Sequence, residues 1–138
     1  MILVMDDDAS VTEMLEELLV GTLGYRCLIT ANLEDAYRRV MERGDRIELC
    51  LLDLRIGDDA RAGLRLAAMI RQIGDPAKAE VPIVLTTGDY DFVQIADLAA
   101  EHRLAGLLSK PFRLAELTRV IETCSRPAAP QTPEGGGT

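Results

Sequence analysis

Four polar groups in this chain each stand at the end of a short apolar run. Asp6-Asp7-Asp8 follow Ile2-Leu3-Val4-Met5, and Asp53 follows Leu49-Cys50-Leu51-Leu52. Thr86-Thr87-Gly88 follow Ile83-Val84-Leu85, and Ser109-Lys110-Pro111 follow Ala105-Gly106-Leu107-Leu108. Carboxylates, a hydroxyl and an ammonium are what phosphoryl chemistry needs, provided that one fold brings them together. Carboxylates about 4 Å apart repel by about 4 kcal/mol at an effective dielectric near 20, so gathering Asp53 with Asp6 and Asp7 calls for a cation among them. Mg²⁺ suits that place, because it takes oxygen ligands, keeps several waters and bridges to phosphate. Singly, each group has an ordinary use. Asp53 could form a turn, and the acidic run could complement the positive end of a following helix. Lys110 could be a solvated charge, and the threonines could be plain β-branched strand residues.

The elements that would carry these groups alternate. A continuous apolar run reads as a parallel strand buried on both faces. Between the runs the apolar residues recur at helical spacing. Val11, Met14, Leu15, Leu18 and Leu19 form one stripe, with Ser10 and Glu13 as a capping box and Gly21 or Gly24 as the stop. Tyr25 to Thr30 reads as a strand. Leu33, Ala36, Tyr37, Val40 and Met41 form the next stripe, between Asn32 as N-cap and Gly44 as stop. A polar loop from Ile56 to Ala62 precedes a helix through Leu66, Met69, Ile70 and Ile73, which Gly74-Asp75-Pro76 breaks. Tyr90 to His102 is helical but weakly patterned, and Leu114, Leu117, Val120, Ile121 and Cys124 mark a last helix. Strand and helix therefore alternate five times, an α/β pattern with parallel strands and helices on both faces of the sheet. In such sheets ligands sit just beyond the carboxyl ends of the strands, where all four polar groups fall.

Composition narrows the function further. A chain of 138 residues is one domain with room for a proper core. Its net charge of −8 argues against a direct nucleic-acid surface. Three scattered cysteines without C-x-x-C spacing point to buried structural thiols rather than a redox or metal site. The first apolar run is too short for a signal peptide or a membrane span, so the cytoplasm is the expected location. From Pro127 the chain turns to proline and glycine, and residues 126–138 are expected to form a disordered tail or linker stub after a domain over 1–125.

The joint pattern resembles the receiver domain of two-component response regulators over residues 2 to about 124. It is carried by Val4-Met5-Asp6-Asp7-Asp8, Leu51-Leu52-Asp53, Pro82-Ile83-Val84-Leu85-Thr86-Thr87-Gly88 and Lys110-Pro111-Phe112. The resemblance implies a flavodoxin-like doubly wound sheet of five parallel strands in the order 2-1-3-4-5. It implies that Asp53 accepts a phosphoryl group from a phosphohistidine on a sensor histidine kinase or histidine phosphotransfer protein. Asp7 would bind Mg²⁺ directly and Asp6 through water, with Asp53 and the backbone carbonyl of Arg55 as further ligands. Lys110 would pair with phosphoryl oxygens, and Thr87, rather than Thr86, would be the switch hydroxyl. Such a domain is no enzyme beyond its own phosphorylation and dephosphorylation. Its downstream effector would be a protein that meets the last two helices and the strand between them, including Arg103, Leu104, Leu107, Arg113, Glu116 and Arg119, with homodimerisation as a further option.

Some positions depart from that pattern. Receivers usually carry Tyr or Phe three residues before the lysine, where this chain has Leu107, so the usual coupling of hydroxyl to ring is in question. Gly57 stands where proline is usual, and the loop from Ile56 to Ala62 is about two residues longer than typical. Arg55 and Asp89 could form an ion pair over the pocket or remain two solvated charges. Two other functions fit part of the pattern. Asp6-Asp7-Asp8-Ala9-Ser10 matches the D-x-D motif of a haloacid dehalogenase-type phosphatase with Asp6 as nucleophile, although the acidic pair required after the lysine is missing. A receiver-like scaffold that is never phosphorylated would explain Leu107.

Overall fold

A computed structural model describes residues 1–88 and 97–127. Five parallel strands form one sheet in the order β2-β1-β3-β4-β5: β1 Ile2–Met5, β2 Cys27–Thr30, β3 Leu49–Asp53, β4 Ile83–Gly88 and β5 Gly106–Lys110. The flavodoxin-like order is realised, and strand and helix alternate as expected over the described residues. Apart from residues 97–99, the α-helices among the described residues are α1 Ala9–Glu16, α2 Leu33–Arg43, α3 Ala62–Arg71, a short α4 Pro76–Ala79, and α5 Leu114–Cys124.

The apolar runs of β1, β3 and β4 lack a polar face because these central strands are buried on both sides, whereas the edge strands β2 and β5 are only partly buried. Leu3, Met5, Cys50, Leu52, Ile83 and Leu85 point to one face, where Ala36 and Val40 of α2 and Leu66, Ala67 and Ile70 of α3 cover them. Ile2, Val4, Leu49, Leu51 and Val84 point to the other, under Leu15 of α1, Leu19 just beyond it, and Leu117 and Ile121 of α5. Alternate side chains thus feed two separate cores, each closed by helices on its own side. Cys50 is fully buried, and burial pushes its thiol up to about 12. That agrees with a structural thiol.

Local details differ from the sequence expectation in ways that physical chemistry explains. Helix α1 is capped by Asp8, not Ser10: the Asp8 carboxylate accepts from the Ser10 N–H and hydroxyl at 2.9 and 2.7 Å. A carboxylate two residues ahead reaches the free amide of the first turn and also complements the helix dipole. The helix then relaxes into a π turn, Glu17–Thr22, and ends at Gly24, whose φ of +78° is open to glycine at little cost. Tyr25 gives its N–H to Leu19, so β2 starts only at Cys27. Asp75 caps α4 by accepting from the Ala77 N–H, and Pro76 sits at its first position. The expected breaker therefore also starts a new turn of helix.

Of the helix expected over Tyr90 to His102, only residues from 97 are described, and 97–99 are helical. Arg126, the first residue assigned to the tail, donates its N–H to Glu48 and its guanidinium to Ile47, Gly44 and Ala77. Residues beyond Pro127 lie outside the described residues.

Candidate functional site

Parallel register decides which polar groups meet. Met5 pairs with Leu52 and Asp53 with Thr86, while Gly88 pairs with Lys110. The carboxyl ends of β1, β3, β4 and β5 consequently meet along one rim, with β4 and β5 running two residues past the level of Asp53 to Gly88 and Lys110. A depression of about 330 Å³ lies there, lined by Asp6, Asp7, Asp53, Arg55, Gly57, Thr87 and Lys110 among others. Gly63 lets α3 begin close under this rim. A Cβ at that position would stand 2.7 Å from the Asp53 carbonyl oxygen and 2.8 Å from Leu85 Cδ2.

Lys110 is the hub. Its Nζ donates to Asp6 Oδ2 at 2.7 Å and to Asp53 Oδ2 at 3.1 Å. Asp6, only 3% exposed, is committed at both oxygens, because Oδ1 accepts the Asp8 N–H at 2.9 Å. Asp7 is exposed and accepts the Gly57 N–H at 2.8 Å. One carboxylate oxygen from each of Asp6, Asp7 and Asp53 lies within 4.8 Å of the others. Three hard oxygen donors at this spacing fit a divalent cation of the Mg²⁺ kind.

Electrostatics reflects an excess of negative charge. Burial raises the Asp53 carboxyl to about 6; the Lys110 ammonium opposes that rise and the Asp6 carboxylate adds to it. Burial works against the Lys110 ammonium, but Asp6 and Asp53 outweigh it and its pKa is raised. Asp8 is held below the ordinary carboxylate range by hydrogen bonds from Ser10. A single ammonium therefore serves two buried carboxylates with a third nearby.

Thr87 is buried and lines the depression, with its hydroxyl 3.4 Å from the Gly88 carbonyl oxygen. Thr86 is also buried but is absent from the lining. Leu107 packs against the core cluster under α2 and α3. Asp89 lies outside the described residues, and so does its pairing with Arg55.

This arrangement agrees with the sequence comparison. The family model for the response regulator receiver domain matches residues 2–122. The chain belongs to the response regulator receiver domain family. No curated protein matches the sequence. Among solved structures, a response regulator receiver domain protein from Clostridium thermocellum is similar at 22% identity and a TM-score of 0.75, covering 88% of this chain and 90% of that one. The non-phosphorylated receiver domain of HemR from Leptospira biflexa matches at 29% identity and 0.67, covering 93% and 98%. The receiver domain of a sensor histidine kinase from Pseudomonas aeruginosa, solved with a magnesium ion in its active-site cleft, matches at 24% and 0.69, covering 88% and 93%.

As a receiver domain of two-component signalling, the chain carries its acidic cluster where strand order and register bring it together. Two participants escape a reading of the sequence. The Asp8 N–H fixes Asp6 and the Gly57 N–H reaches Asp7. Both are backbone donors, which residue type cannot reveal. The glycine itself is visible there only as a departure from the usual proline. Among the described residues no helix is long and apolar enough to cross a membrane.

Proposed function

We propose that this receiver domain accepts a phosphoryl group on Asp53 from a phosphohistidine of a sensor histidine kinase or phosphotransfer protein. It then signals to a downstream effector by surface contact. The observation that carries the reading is the Lys110 bridge, which fixes Asp53 beside Asp6 at the rim of an open depression. An Asp53 carboxylate oxygen attacks phosphorus, the N–P bond of the donor breaks, and its electron pair returns to the imidazole nitrogen. The transferred group carries spread negative charge, so the residues need only position and neutralise it.

Asp6, Asp7, Asp53 and the Arg55 carbonyl are the groups that would hold Mg²⁺, which when bound supplies positive charge to the phosphoryl oxygens. Lys110 moves from serving two carboxylates to pairing with a phosphoryl oxygen. Thr87 offers its hydroxyl to another. Leu107 has no ring to swing inward, so transmission runs through the loops around the site. The haloacid dehalogenase alternative loses support from the family assignment and from Asp6, whose two oxygens are both engaged.

The test is incubation with Mg²⁺ and acetyl phosphate, read by intact mass. Wild type should gain one phosphoryl group, and Asp53→Asn none. A wild type that stays unmodified while folded would favour the non-phosphorylated scaffold. Modification that survives Asp53→Asn but not Asp6→Asn would restore the phosphatase reading.

A further inference from the structure

Asp6 and Asp53 are held by Lys110, but among the described residues Asp7 has one hydrogen bond to its carboxylate, from the Gly57 N–H at 2.8 Å. The donor comes from a defined turn. Ile56 and Asp59 exchange backbone hydrogen bonds at 3.0 and 2.9 Å, enclosing Gly57 and Asp58. The Asp59 carboxylate accepts from the Arg61 N–H at 3.0 Å and from Arg65 Nη2 at 3.2 Å, anchoring the turn to α3. Gly57 holds φ at +56°, and the space around a Cβ there is empty, so backbone conformation rather than crowding favours glycine.

We propose that Gly57 is a positioning residue: its N–H orients the exposed Asp7 carboxylate toward the metal position and couples metal occupancy to the Ile56–Arg61 loop. The proposal rests on the reading that Asp6, Asp7 and Asp53 hold Mg²⁺. An exposed aspartate without a partner samples several rotamers, and only some turn an oxygen to the site. One donor on Oδ2 selects among them and leaves Oδ1 free. Outer partners of this kind orient a ligand before the metal arrives. The coupling is reciprocal, since whatever the turn contributes to metal affinity the metal returns to the turn. The loop thus gains a link to the site that does not pass through Leu107.

The test is Mg²⁺ titration by calorimetry on wild type, Gly57→Pro and Gly57→Ala. Proline removes the N–H, whereas alanine keeps it and adds only strain at positive φ. Affinity is expected to fall about tenfold in Gly57→Pro and clearly less in Gly57→Ala. Because Gly57→Pro also reshapes the turn, amide exchange in the wild type supplies an independent readout. Saturating Mg²⁺ should slow exchange at Gly57 by a similar factor and leave Ala77, at the other end of the sheet, unchanged. Equal Mg²⁺ affinity in all three proteins, or Gly57 exchange indifferent to Mg²⁺, overturns the proposal while the metal site stands. A wild type that takes up no Mg²⁺ overturns the metal site and the proposal with it.

Discussion

The two ends of the sheet use charged side chains for opposite purposes. At the amino ends of the strands, Arg71 donates to the carbonyls of Ala79 and Val81, both at 2.7 Å, His102 at 3.0 Å and Arg103 at 2.9 Å. Arg126 does the same for Ile47, Gly44 and Ala77. Two fixed guanidinium forks thereby supply donors to loop carbonyls and tie several loops to one side chain each; the Gly44 carbonyl also accepts the Ile47 N–H at 3.2 Å. At the carboxyl ends, among the described residues, the Asp6, Asp7 and Asp53 carboxylates cluster with the Lys110 ammonium bonded to two of them, and the balance of charge is left open. Charge spent on neutral carbonyls closes a surface, while charge left over recruits a ligand. The first end should govern stability and the second chemistry, and each substitution below tests that division.

Arg71→Met should have the largest effect on folding. It keeps much of the side chain's bulk but leaves four carbonyls without their donor, at a cost of about 3 kcal/mol. Urea denaturation measures it. Phosphorylation of the fraction still folded should be unchanged, and a parallel loss of phosphoryl uptake would dissolve the contrast between the two ends.

Gly63→Ala places a purely steric demand at the chemical end. The new Cβ would press on the Asp53 carbonyl oxygen and Leu85, with backbone on one side unable to yield. A loss of about 2 kcal/mol is expected, in the range for overpacking. Asp53 should also be displaced, so phosphoryl uptake should slow in this variant and not in Arg71→Met. Mass spectrometry after timed incubation with acetyl phosphate separates the two.

Lys110→Met removes the hub. In chelator, Asp6 and Asp53 lose their shared cation, and a partly buried pair broken at one partner should cost about 1–2 kcal/mol. Mg²⁺ should restore more stability to this variant than to wild type, because among the described residues Asp6 and Asp53 then have no hydrogen-bonded cation. Thermal melts with and without Mg²⁺ check this, and an equal Mg²⁺ response in both proteins would count against a shared metal position.

Much of this division is legible in the residues alone. The apolar runs carry strand, burial and rim at once, because a strand buried on both faces stays apolar until close to its carboxyl end. Asp6, Asp7, Asp53, Thr87 and Lys110 are therefore identifiable by type and place. Backbone donors are not. The Gly57 and Asp8 N–H groups have no signature in residue type, and Ser10 reads as a better cap than Asp8 because local pattern favours hydroxyl with Glu13. The amino end is the least legible. Arg126 sits beside a proline-rich stretch and reads as tail, and only the fold reveals the three carbonyls that its guanidinium serves. Long-range contacts of a guanidinium with backbone leave no periodicity to find.

The smallest expected effect is also the most diagnostic, because its sign is opposite to that of most substitutions. Burial raises the Asp53 carboxyl from 3.8 to about 6 in the metal-free protein. Between those values the folded chain keeps a proton that the unfolded chain has released, so stability falls as pH rises through the window. Above about pH 6 the ionised carboxylate weighs on the fold, and Asp53→Asn, which cannot ionise, escapes that burden. Allowing for partial exposure, the variant should exceed wild type by about 1 kcal/mol at about pH 8 in chelator, with the gap closing near pH 4. Mg²⁺ should narrow the gap at pH 8, since it binds the folded wild type more tightly than the variant. Denaturation curves at the two pH values, with and without Mg²⁺, give the four numbers required. A variant less stable than wild type at pH 8 in chelator would mean that Asp53 is a settled structural charge, and the carboxyl end would then differ from the amino end in composition but not in purpose.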